Sequence, residues 1–116
     1  MLNKRLMAAL SPIAPTQADE YTPDEGLGAD DTYIVFNYNS IPVDYGDDAP
    51  GHEVYSVQVH LFCPSGVNSL PMRRQIKKAL LAAGFTWPAY INASDKDGQH
   101  HVFECQTAQA AEAEVE

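Results

Sequence analysis

A chain of 116 residues has room for one domain built around one core. A hydrophobic content of 45% excludes disorder throughout, and no apolar run approaches the roughly 18 residues that a membrane-spanning helix needs. A net charge of −9 argues against sequence-specific DNA binding, because like charges repel at long range.

Leu2, Leu6, Ala9, Leu10 and Ile13 recur at i, i+4, i+7, i+8 and i+11, one stripe of an amphipathic helix over residues 1–13. Pro12 and Pro15 end it. Lys4 and Arg5 precede only the short run Leu6–Leu10, too brief for a signal-peptide core, so a cytoplasmic chain is expected. Residues 14–32 are rich in Pro, Gly and Asp without period and read as an acidic surface loop.

Tyr33–Tyr38 (YIVFNY) is β-branched and aromatic, a strand. Asn39–His52, with Pro42, Gly46, Pro50, Gly51 and three aspartates, reads as a long acidic hairpin connection. Val54–Cys63 then alternates cleanly. Tyr55, Val57, Val59, Leu61 and Cys63 share one face, and Ser56, Gln58, His60 and Phe62 the other, the pattern of a half-buried antiparallel strand. Pro64 and Gly66 stop it, and Asn68 or Ser69 can cap the next helix, with Pro71 in its first turn. Met72, Ile76, Ala79, Leu80 and Ala83 form the inward arc of that helix, which Gly84 closes and on which Phe85 can fold back. Trp87–Ala93 and Gln99–Gln106 read as two further strands joined by the turn Ser94–Gly98, and residues 107–116 as a frayed acidic tail. The expectation is α+β: an N-terminal helix, a β-hairpin, a central helix and a second hairpin, with both helices on one face of a small, mostly antiparallel sheet, and residues 33–106 as its core.

The basic residues are distributed oddly. Four of the seven, Arg73, Arg74, Lys77 and Lys78, crowd two turns of the central helix. Arg73/Lys77 and Arg74/Lys78 are like-charge i, i+4 pairs, each disfavoured by about 0.2–0.5 kcal/mol. They also lie in the half of the helix whose dipole prefers anions, and Leu81 projects into the same face. A surface that breaks several local preferences together suits a partner, against the plainer reading of a solvated helix face. The complement lies between Gln17 and Glu53, where ten acidic residues, Asp44, Asp47 and Asp48 among them, occur without one basic residue. Opposed patches on one small molecule suit a head-to-tail contact, which closes into a ring when the rotation allows. Arg73, Arg74, Lys77, Lys78 and Leu81 are therefore the expected interface on one side, and Asp44, Asp47 and Asp48 on the other.

Catalysis and metal binding find less support. Ser65, Ser69 and Cys63 lack a base at any recognisable spacing. His60, His100, His101 and Cys105 are zinc-ligand types, and His101 and Cys105 share a strand face, yet His60 points opposite to Cys63 and no closely spaced ligand pair exists. No cofactor, metal site or enzymatic activity is expected. Cys63 and Cys105 read as buried reduced thiols rather than as a disulfide.

Taken in order, Tyr33–Tyr38, then Tyr55–Phe62, then the Arg73–Phe85 helix ending Ala83-Gly84-Phe85, then Gly98–Glu104 resemble the tail completion (tail terminator) proteins of long-tailed bacteriophages and prophages. The resemblance implies a structural, non-catalytic subunit of the virion, assembled in the host bacterial cytoplasm. It would form a six-fold ring of identical copies at the head-proximal end of the tail tube, where it stops tube growth and docks the filled head. Its partners would be other copies of itself, the tail tube protein and the head–tail connector proteins. DNA would pass through the ring without sequence-specific binding, and no membrane would be involved. The alternatives are another head–tail connector, a neck adaptor, or a small acidic regulatory binding module.

Overall fold

The computed structural model describes residues 2–18, 32–46, 49–96 and 98–110, of which 41–46, 49–53 and 108–110 are described by their backbone only. Two helices, α1 (Leu2–Leu10) and α2 (Leu70–Ala82), accompany five strands: β1 (Thr16–Ala18), β2 (Tyr33–Gly46), β3 (Ala49–Cys63), β4 (Ala89–Asn92) and β5 (Gln99–Ala110). The strands form one sheet in the order β1-β2-β3-β5-β4, antiparallel except where β1 runs parallel to β2. This is the expected α+β arrangement.

Burial follows the alternation of β3: Tyr55, Val57, Val59, Leu61 and Cys63 are buried and the residues between them half-buried. Leu61 pairs with Ile34 and His101, and Val59 with Phe36 and Phe103, which carries the same inward face across β2 and β5. Both helices lie on it, joining Leu2, Leu6 and Leu10 of α1 and Ile76 and Leu80 of α2 to the strands in one core. Cys63 and Cys105 are buried free thiols within that core. Burial raises the Cys105 thiol to about 11 and also pushes Cys63 upward, so both stay protonated.

The end of α2 is a full Schellman closure. Gly84 N–H donates to the Leu81 carbonyl and Phe85 N–H to that of Leu80, with Gly84 at φ +97° and Phe85 buried. Arg5 of α1 secures the same end. Its Nη2 donates to the Ala83 carbonyl at 2.9 Å and to Thr107 Oγ1 at 3.3 Å, while the guanidinium lies over the Phe85 ring. At the other end Asn68 Oδ1 accepts the Leu70 N–H, and Ser69, the N-cap residue, makes no side-chain cap bond.

Five boundaries differ from the sequence reading, the first being that of α1, which ends at Leu10 rather than at Ile13. Thr16–Ala18 belongs to the sheet rather than to a loop, because Pro15, whose carbonyl accepts the Ile34 N–H, lays the chain beside the edge of β2. Residues 19–31 of that expected loop lie outside the described residues. The long connection expected at Asn39–His52 is instead ladder: pairing runs through Pro42↔Glu53 and Tyr45↔Pro50 to Gly46↔Ala49. The prolines are tolerated because, among the described residues, β1 pairs with β2 only as far as Phe36 and β5 meets β3 only from His52, so each has a described ladder on one side alone. Pro88 delays the fourth strand to Ala89. The fifth runs to Ala110, so residues 107–110 of the expected tail are strand, and residues 111–116 lie outside the described residues.

Candidate functional site

Helical geometry divides the basic cluster in two. Arg73 and Lys77 lie on the side of α2 that faces β4 and are half-buried, whereas Arg74 and Lys78 are exposed. Leu81 continues the outer row and is 51% exposed; Leu70, at its other end, is also exposed. None of the four cations pairs with a carboxylate of a described residue, and the first turn of α2 holds no acid. Of the expected acidic counterparts, Asp44 stands on the β2 backbone with its side chain undescribed, and Asp47 and Asp48 lie outside the described residues.

Tyr90 organises the inner pair. The Arg73 guanidinium stands over its ring at 5.7 Å and the Lys77 ammonium at 5.3 Å, and Arg73 Nη1 donates to its hydroxyl at 3.1 Å. Leu70, Arg73, Arg74, Lys77 and Tyr90 line a recess of about 140 Å³. Arg73 Nε itself is buried without a hydrogen-bond partner.

Behind Tyr90 the hydrogen bonds have only one consistent direction. Gln99 Nε2 lies 3.0 Å from the Pro64 carbonyl and 2.7 Å from that of Val67, both pure acceptors, so its Oε1 must accept. Two groups reach that oxygen: Ser69 Oγ at 2.7 Å and His101 Nε2 at 2.9 Å. Both therefore donate, which places the proton of a neutral His101 on Nε2. His101 Nδ1 is then the acceptor for the Tyr90 hydroxyl, 2.6 Å away. Burial holds the His101 pKa below its usual range, and the charges of Arg73 and His100 push it the same way. The chain runs Arg73, Tyr90, His101, Gln99, and ends on two loop carbonyls.

This network answers the question left by Ser69. The fold brings a histidine to 3.2 Å from its hydroxyl, which sequence spacing did not reveal. That histidine cannot act as its base, because the facing nitrogen carries the proton. Ser69 and His101 are moreover only 1% and 2% exposed. The network holds α2 against β4 and β5.

The remaining histidines are parted by the sheet. His60 and His100 lie on its other face, their Nδ1 and Nε2 atoms 2.8 Å apart beside Phe62, while His101 and Cys105 point inward. The four zinc-ligand types therefore do not converge, and no cluster of three metal-ligating side chains occurs among the described residues. Tyr90, Gln99 and Arg5 were missed as functional or supporting residues in the sequence, and Ser69 was read only as a cap or a serine without a base. The one local signal for Tyr90 was its place, two residues after Pro88, in a run short enough to be an edge strand.

Family models yield no match to this chain, and curated proteins yield none either.

Proposed function

We propose that the chain is a ring-forming structural subunit that completes the tail of a long-tailed bacteriophage, acting by assembly and without catalysis. The observation that carries this reading is the outer row of α2. Arg74, Lys78 and Leu81 stand exposed, and no carboxylate of a described residue pairs with the cations, on a chain with sixteen acidic residues and seven basic ones. Leaving a like-charged cluster unneutralised costs stability in the free subunit, and an acidic partner surface removes that cost. A second copy supplies such a surface in the stretch between Gln17 and Glu53.

The element order that carries the resemblance to tail completion proteins agrees with the α+β fold. A long hairpin adds reach. The 14 residues of β2 extend about 46 Å at roughly 3.3 Å per residue, against about 20 Å for the 13 residues of α2. The paired strands are therefore more than twice as long as the helix. Six copies in a ring, stacked on the tail tube protein and met by the head–tail connector, are the assembly we propose.

Electron microscopy of particles made without this gene tests the proposal. Overlong or ragged tubes beside separate filled heads are expected. Normal virions would overturn it in favour of an acidic regulatory module, and finished tails that fail only to join heads would favour a neck adaptor.

A further inference from the structure

We infer that the recess between α2 and β4 is a preformed carboxylate pocket, filled in the assembly by an aspartate from residues 44–48 of a neighbouring copy. The identity of the occupant rests on the ring reading; the pocket itself does not.

Three cationic side chains, Arg73, Arg74 and Lys77, line one recess together with the Tyr90 ring. Ordinary surface lysines and arginines splay apart, but here two are held over the same ring and one is fixed further by a hydrogen bond. Arg73 is positioned from behind. Its Nη1 is occupied by the Tyr90 hydroxyl, whose proton is committed to His101, whose own proton is committed to Gln99. Arg73 Nε is a buried donor with no hydrogen-bond partner, and a small rotation of the half-buried side chain would turn the Nε–Nη2 edge to a ligand. A planar guanidinium with one edge fixed and the other unsatisfied matches the two oxygens of a carboxylate. Nucleic-acid phosphate is the poorer candidate, because the chain carries net −9 and a polyanion meets that charge on every approach. The acidic stretch of a second copy offers isolated carboxylates on a hairpin long enough to present them.

The role of Tyr90 is positioning. Tyr90→Phe keeps the ring under both cations and keeps the charge of Arg73, but releases Nη1 and breaks the link to His101.

The test titrates the full-length chain, labelled with nitrogen-15, with sodium acetate and separately with a peptide copying residues 40–53. Saturable shifts of the Arg73 Nε–H and Tyr90 amide resonances are expected with both. Arg73→Gln should weaken peptide binding about tenfold or more, and Tyr90→Phe by roughly three- to tenfold, the loss of one charge-assisted contact or of its preorganisation. Lys77→Gln serves in place of Arg73→Gln if that variant does not fold. Tyr90→Phe should also speed exchange of the Arg73 Nε proton with solvent, which a purely structural role for the hydroxyl would leave unchanged. Absence of shifts with either probe would overturn the pocket. Shifts with acetate but not with the peptide would overturn the assignment to residues 44–48. Rings that form equally well with Arg73→Gln would overturn the pocket's part in assembly and leave the ring reading standing. Peptide binding by a chain that forms no rings would do the reverse.

Discussion

The Tyr90 hydroxyl sits 2.6 Å from Nδ1 of His101 and donates to it, joining a basic helix on one side to a buried amide on the other. The two residues lie on paired antiparallel strands, Tyr90 opposite Phe103 and His101 opposite Asn92, so they stand two register positions apart and their side chains share the helix-facing side of the sheet. What could have been a serine–histidine pair becomes a brace for a surface arginine.

Tyr90→Phe removes the centre of that brace. It leaves His101 Nδ1 buried without a donor, and the expected destabilisation is about 1–3 kcal/mol. Urea unfolding of the purified chain checks this. A change below about 0.5 kcal/mol, the range of an ordinary surface substitution, would mean that water replaces the hydroxyl.

Reversal of the outer row separates folding from assembly. Arg74→Glu with Lys78→Glu exchanges one exposed like-charge i, i+4 pair for another on a solvent-facing row, so the melting temperature should change little. Leu81→Asp should change stability by less than about 0.5 kcal/mol, because the side chain is already half in water. Each variant should nevertheless abolish rings or tail docking, measured by light scattering and microscopy. Folded variants that assemble normally would remove α2 from the interface.

Gly84→Ala tests the closure of α2. At φ +97° an L side chain is strained, and an added Cβ would stand 3.0 Å from Arg5 Nη2. The expected cost is about 1–2 kcal/mol from the left-handed backbone alone, with a further loss if Arg5 is displaced from the Ala83 carbonyl. Thermal unfolding of Gly84→Ala beside Arg5→Ala, and of the two combined, measures the coupling.

Stability should fall on mild acidification. His60 and His101 are held below the usual 6.5 first by burial, with neighbouring positive charge adding to it; in His100 burial outweighs the opposing pull of Asp95. The folded chain therefore binds protons less readily than the unfolded chain, in which these groups titrate near 6.5. Their contribution is complete above that value and is lost as pH falls through the lower folded values. Unfolding midpoints should be flat above about pH 7 and decline between about 6.5 and 5, before the carboxylates titrate. A level profile across that window would mean that the histidines titrate alike in the folded and unfolded chains.

Periodicity made the framework legible. The alternation of Tyr55 to Cys63 and the arc of Met72 to Ala83 each identify a buried face from one-dimensional spacing, because an element with one apolar side must cover it. Gly84 and Phe85 closed their helix as read, since a Schellman ending is set within a few residues. The ladder across Pro42 and Pro50 was not legible. Proline and aspartate signal turns locally, and only the neighbouring strands decide whether a backbone N–H is needed there.

The candidate site divides in the same way. The charge of Arg73, Arg74, Lys77 and Lys78 and their crowding on two turns were plain in the chain, as was the scarcity of bases elsewhere. Which of the four would be held and which left exposed depended on β4 lying beside α2. The proton on His101 depended on Gln99 finding two carbonyls 32 and 35 residues away. Residue type and short-range spacing thus determined the charge, the buried faces and the class of fold. Long-range pairing alone decided which polar atoms meet, because a hydrogen bond depends on distances of a few tenths of an ångström that no local pattern encodes.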